Sequence, residues 1–281
     1  MLAHFARPAR PLSPFLSLMV LLLALVGGYS AAVGILLLQF DDVIGLGAVT
    51  CLASIFYFAI PGCLSRRLGV GNIKGQSPTP NVIFCAVALA VSCQPLVEWA
   101  AAIDRRLCET VWNVSLDGAL ANAEALSRLC TFDTFVDWLS PFFAIAVIPA
   151  ISEEIFFRGA MLPIIRRLTR GWTSAVIITA LVFSAVHFDM TGFLARTIMG
   201  IIMGALFILS RSILVPIAYH FTNNFLAVYQ ASQSEDVVAA LSRLPEMPPL
   251  SATLISLVLT ISLIFIIHRT TDFHRSLDSL F

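Results

Sequence analysis

The chain has 281 residues, 58% of them hydrophobic and 12% charged, with a formal net charge of +0 and a mean hydropathy of +0.90. Soluble domains carry about 25% charged residues, so the composition excludes a soluble globular protein and describes a polytopic membrane protein. With balanced charge and a single lysine, Lys74, there is no basic surface for nucleic acid.

A helix needs about 20 apolar residues to cross the hydrocarbon core. Stretches close to that length run from Pro14 to Phe40, Ile44 to Leu64, Asn81 to Ala101, Phe135 to Pro163, Trp172 to Phe188, Phe193 to Leu209, Ile213 to Gln230 and Leu250 to His268. The expected fold is therefore all-α, a single transmembrane domain over 1–281 with about eight spans. Arg7 and Arg10 ahead of the first run give it the look of a signal peptide. The run continues to Phe40, well past the roughly 7–15 residues of a signal h-region, so we read it as an uncleaved first span.

Alternating the spans from a cytoplasmic N-terminus leaves Arg7, Arg10, Arg66, Arg67, Lys74, Arg166, Arg167, Arg170, Arg211, Arg269 and Arg275 inside, and Arg105, Arg106, Arg128, Arg196 and Arg243 outside. By the positive-inside rule both termini are expected in the cytoplasm. Short loops and the lack of targeting signals favour a bacterial inner membrane. The one sizeable loop, Ala102 to Thr134, carries an imperfect helical stripe of Val111, Val114, Leu116, Leu120, Leu126 and Leu129, as expected of a segment lying on the outer membrane surface. Cys108 and Cys130 bracket it, either as a disulfide or as two free thiols.

Ionisable groups inside spans cost about 2.5–3.5 kcal/mol each to insert, so they default to functional candidates. In span four, Glu154 and Arg158 stand at i and i+4, the favourable orientation for a pair on one helix face. Glu153, about 100° round the helix, lacks that partner and is placed to take a proton from water. His187 ends span five. His220 and Asn224 of span seven share a face at i and i+4, offering two donors to one oxyanion. Taken singly, each has a plainer reading. An intramembrane His or Asn commonly bonds a neighbouring helix for about 0.6 kcal/mol, and Glu154 with Arg158 reads equally well as a structural ion pair. Gly200 and Gly204 form a small-residue face for close helix packing.

The chain contains no His-Glu-x-x-His helix, no Gly-x-Ser-x-Gly elbow and no Gly-x-Gly-Asp motif. A hydrolase built on these residues would use water as nucleophile. Glu153-Glu154-x-x-x-Arg158, then Phe183-x-x-x-His187, then His220-x-x-x-Asn224, in that order on successive spans, resembles the CAAX protease and bacteriocin-processing (CPBP, or Abi) family of intramembrane proteases. The likeness covers residues 135–230, the expected catalytic helices. It implies a membrane-embedded polar cavity and hydrolysis of a peptide bond in a membrane-associated or lipid-modified peptide or protein. Carried over by position, Glu153 would activate water with help from His187, His220 and Asn224 would hold the oxyanion, and Glu154 with Arg158 would brace the site. The cofactor stays open: Glu153, His187 and His220 would complete a zinc site with an open water position, while a metal-free glutamate and histidine mechanism needs none. Two other classes compete, an ion- or proton-coupled transporter using the acids as a relay and a catalytically silent membrane scaffold. The lack of inverted repeats argues against the first, and the completeness of the motifs against the second.

Overall fold

In the computed structural model, residues 12–37, 42–67, 77–111, 127–130, 132, 134–233 and 247–271 are described, and every regular element among them is helical. Five helices are long and apolar enough to cross a membrane: Pro14–Leu36 (α1), Val43–Ser65, Phe135–Thr169, Met190–Ser210 and Leu250–Thr270 (α12). Helices Pro80–Ser92 (α4) and Gln94–Thr110 (α5), bent by 43° at their junction, make a sixth if they count as one span. The chain is thus an integral membrane protein. Two of the eight expected spans fall short. Trp172–Ala185 (α9) has only 14 residues; Leu214–Ser232 (α11) has the length, at 19 residues, but carries His220, Asn223 and Asn224. Both pack one face on neighbouring helices and leave apolar side chains such as Ile177, Leu181 and Leu214 exposed on the other.

Three widened π turns interrupt the helices around the centre of the molecule. Ile55–Ala59 (π1) lies between Val43–Ser54 (α2) and Ile60–Arg67 (α3). The other two divide the 35-residue fourth helix into Phe135–Pro141 (α6), Phe142–Val147 (π2), Ile148–Phe156 (α7), Phe157–Met161 (π3) and Leu162–Thr169 (α8). In each case a proline, Pro61, Pro149 or Pro163, occupies the second position after the π turn. Proline has no N–H to give the carbonyl four residues back, and its ring clashes with that carbonyl. The turn before it widens to i→i+5 bonds, as Ile60 N–H to Ile55 O, Ile148 N–H to Phe143 O and Leu162 N–H to Phe157 O. The carbonyls deprived of an i+4 donor are those of Tyr57, Ile145 and Gly159.

The third expected span differs from its sequence reading. It bends after Ser92, since Pro95 breaks the ladder, and it runs on to Thr110 instead of ending at Ala101. What reads as loop from Ala102 onward is helix with an inward polar face. Asp104, 3% exposed, accepts from the N–H groups of Leu194 (2.7 Å) and Ala195 (3.3 Å). It thereby caps Phe193–Ser210 (α10) from another helix. The stripe beyond Val111 lies, apart from Leu129, outside the described residues, as do Arg7, Arg10, Lys74, Arg243 and Arg275. Cys108 and Cys130 are buried free thiols.

Helices α9 and α10 pack closely along Gly200 and Gly204. A Cβ on Gly200 would stand 2.9 Å from the Ala180 Cβ, and one on Gly204 would stand 3.0 Å from Val176 Cγ1. On the opposite side, α2 and α3 press against the fourth helix through Gly47 on Ser140, Gly62 on Ile155, and a 2.6 Å hydrogen bond between the Ser54 and Ser152 hydroxyls.

Candidate active site

The fourth helix presents its acids at α7, between two of the proline-widened turns. Glu154 and Arg158 are fully buried and Glu153 is 8% exposed. Arg158 Nη1 donates to Glu154 Oε1 at 2.7 Å, the i, i+4 pair anticipated from the spacing. Its Nη2 donates to the Gly200 carbonyl at 2.9 Å, and its guanidinium lies 5.2 Å from the Phe183 ring centroid. A carboxylate, a backbone carbonyl and an aromatic face therefore share one buried cation, which is how such a charge is tolerated away from water.

From α11, His220 Nδ1 meets Glu154 Oε1 at 3.0 Å. The arginine-bound carboxylate only accepts, so Nδ1 carries the proton and Nε2 turns the other way. Nε2 stands 3.9 Å from Glu153 Oε2, too far for a direct hydrogen bond. That Glu153 oxygen is buried and has no hydrogen-bond partner. The two glutamates differ in their partners: Arg158 and His220 share Glu154 Oε1, leaving its Oε2 without a partner, whereas Glu153 has neither of those bonds and leaves its Oε2 open beside an imidazole edge.

His187 arrives through Phe183. Helix α9 ends at Ala185, and Phe188 at φ 51° turns the chain through the left-handed region, a conformation that costs a bulky residue about 1–3 kcal/mol. His187 Nδ1 then reaches the Phe183 carbonyl at 2.8 Å, again as the donor, leaving Nε2 with its lone pair. The Phe183 ring touches both histidines, with centroids 5.2 Å from His187 and 5.9 Å from His220, and His187 lies within electrostatic reach of Glu153. Asn224, one turn beyond His220, donates from Nδ2 to the Ile145 carbonyl at 3.0 Å, the carbonyl that Pro149 leaves without its helical donor.

The structure therefore joins Glu154 directly to Arg158 and His220, sets Glu153 Oε2 3.9 Å from His220 Nε2, adds His187 by way of Phe183, and bonds Asn224 to the Ile145 carbonyl. Sequence reasoning missed the Gly200 and Ile145 carbonyls. Pro149 at i+4 was the available signal for the second; nothing local marked the first. Among the described residues no group of three or more His, Cys, Asp or Glu side chains is placed to hold a metal ion.

Residues 135–226 match the family described as type II CAAX prenyl endopeptidase Rce1-like, about a third of the 281 residues and the stretch that carries the whole centre. This segment is thus similar to the CAAX protease (CPBP) family, and the similarity supports a peptidase. No curated protein and no solved structure matches it.

Proposed function

We propose that the protein is an endopeptidase that cuts a membrane-associated, lipid-modified peptide with a water activated by Glu153. The observation that carries this reading is the buried, partner-free Glu153 Oε2, 3.9 Å from His220 Nε2, beside a Glu154 that Arg158 and His220 already occupy. A gap of that size invites one water off the axis between the two atoms.

In the reaction, Glu153 takes a proton from water as the oxygen attacks the scissile carbonyl. His187, with Nδ1–H committed to Phe183, orients that water through the Nε2 lone pair. The oxyanion takes the second N–H of the Asn224 Nδ2 group. His220 contributes there only as an imidazolium, since its Nδ1–H is spent on Glu154, and Glu154 then serves as counter-ion. As the C–N bond breaks, Glu153 returns its proton to the leaving amine. No step needs a bound metal. The lipid part of the substrate is inferred from the CAAX prenyl endopeptidase relationship and from the exposed aromatic edge beside His187, where Tyr29 contacts Tyr57 and Phe188 with ring centroids 5.5 and 6.4 Å apart.

The test is cleavage of a quenched-fluorescent farnesylated peptide by purified protein after dialysis against a chelator. Glu153→Gln is expected to lose about 10²–10⁴-fold in rate, and Asn224→Ala about 10²–10³-fold, with both variants folded. Full cleavage by Glu153→Gln would overturn the mechanism. Cleavage that vanished with chelation and returned with zinc would replace the metal-free route.

A further inference from the structure

Two of the site's neighbours on α11, Tyr219 and Asn223, stand one residue before His220 and Asn224 and form a second row, about 100° round the helix. That row docks on the bend between α4 and α5. Cys93 Sγ lies 3.0 Å from Tyr219 Oη, and Gln94 Nε2 donates to Asn223 Oδ1 at 3.0 Å. From there the amides continue inward. Asn223 Nδ2 lies 3.5 Å from Asn224 Oδ1, and Asn224 Nδ2 donates to Ile145 O at 3.0 Å.

This series has a direction, and backbone carbonyls set it at both ends. Gln94 Nε2 also donates to Ala90 O at 2.8 Å; a carbonyl only accepts, so the nitrogen end of Gln94 faces α11 and its neighbour must offer oxygen. Asn223 consequently presents Oδ1 to Gln94 and Nδ2 to Asn224. Asn224 then presents Oδ1 to Asn223 and Nδ2 to the Ile145 carbonyl. A flip at any link would oppose two oxygens or two N–H groups 3.0–3.5 Å apart, wasting hydrogen bonds worth about 1 kcal/mol each.

We propose that Gln94 and Asn223 are positioning residues that set which end of the Asn224 carboxamide faces the reaction, holding its N–H donors toward the oxyanion. The inference rests on the proposed role of Asn224. It adds a part to the machinery from outside the 135–226 stretch, since Gln94 sits on the broken third span.

Inverting the direction separates this role from simple packing. Gln94→Glu keeps the shape but, when ionised, offers only acceptors; it turns Asn223 round, then Asn224, and sets an oxygen where the donor stood. Gln94→Leu removes the director and leaves Asn223 to choose either orientation. We expect Gln94→Glu to lose about 10²–10³-fold in kcat on the farnesylated peptide, the size of one lost oxyanion donor, with KM nearly unchanged. Gln94→Leu should lose less than tenfold. Acidification that protonates the new carboxyl should restore part of the Gln94→Glu activity, because a neutral acid can donate again. A purely structural Gln94 gives the opposite order, the apolar variant being the worse, and that result would overturn the proposal.

A second readout needs no turnover. In detergent-solubilised protein labelled with ¹⁵N-asparagine, the side-chain NH₂ signals of Asn223 and Asn224, assigned by single substitution, should shift together in Gln94→Glu. If the wild type does not cleave the peptide but those signals move together, the substrate reading fails and the directional chain stands. Independent behaviour of the two signals would sink the chain whatever the activity.

Discussion

At the residue scale, two adjacent glutamates acquire different characters from what surrounds them. Glu154 is fully buried and tolerable there because Arg158 neutralises it at 2.7 Å; Glu153 faces an imidazole edge at 3.9 Å and has no direct ion pair with Arg158. Truncating one member of a buried pair costs about 3–5 kcal/mol, most of it from the charge left behind. Arg158→Leu should therefore lower the thermal midpoint in detergent sharply and abolish cleavage. Adding Glu154→Gln to it removes the stranded charge and should recover part of that midpoint without restoring activity. Thermal melts of the two variants check this, and a single variant as stable as the wild type would contradict the bracing role. The Glu154–Arg158 pairing is legible in the spacing alone, since i and i+4 groups meet on any helix. The His220 contact with Glu154 is not, because it joins residues 66 apart in the chain.

At the scale of elements, prolines and glycines do most of the placing. Pro149 widens π2 and gives up the Ile145 carbonyl to Asn224; Pro95 accompanies the 43° bend that lays Gln94 against α11. Gly200 has two duties. It lets α10 approach α9, and its carbonyl receives Arg158. A Cβ there would sit 2.9 Å from the Ala180 Cβ and 3.0 Å from its Cα, closer than either helix can absorb without moving. Gly200→Ala should accordingly cost about 1–3 kcal/mol by overpacking and reduce activity by drawing the carbonyl off Arg158. Gly204→Ala, which meets only the flexible tips of Val176, should be milder. Melting curves and cleavage rates of the pair give the comparison, and equal effects would mean that the carbonyl contributes nothing.

At the scale of the molecule, the described residues form five helices long and apolar enough to cross a membrane, or six with the bent pair, together with α9 and α11. His187 follows α9 directly and α11 carries His220 and Asn224, so these groups come from the two segments that fall short of the membrane-span criteria, while the glutamates come from a full-length span. The Arg and Lys distribution predicts the orientation, eleven residues inside against five outside. A single cysteine engineered at Lys74, in a variant stripped of its own cysteines, should be labelled by an impermeant maleimide only after the cytoplasmic face is opened. Labelling from the outer face of intact cells would reverse the topology.

The membrane class, the helical architecture and the inventory of polar groups that lipid would reject can all be read along the chain. They follow from composition, from runs of about 20 apolar residues and from the cost of each intramembrane charge, which are local properties. The i, i+4 partnerships are equally local, because helix geometry creates them. Helix packing, by contrast, settles which acid Arg158 and His220 bind, joins the two histidines through Phe183, and brings a glutamine of the third span to the Asn224 amide by way of Asn223. Each of these depends on side chains from different helices meeting at hydrogen-bond or ring-contact distance. A shift of about an ångström between helices would break such hydrogen bonds while leaving every local pattern of residues unchanged.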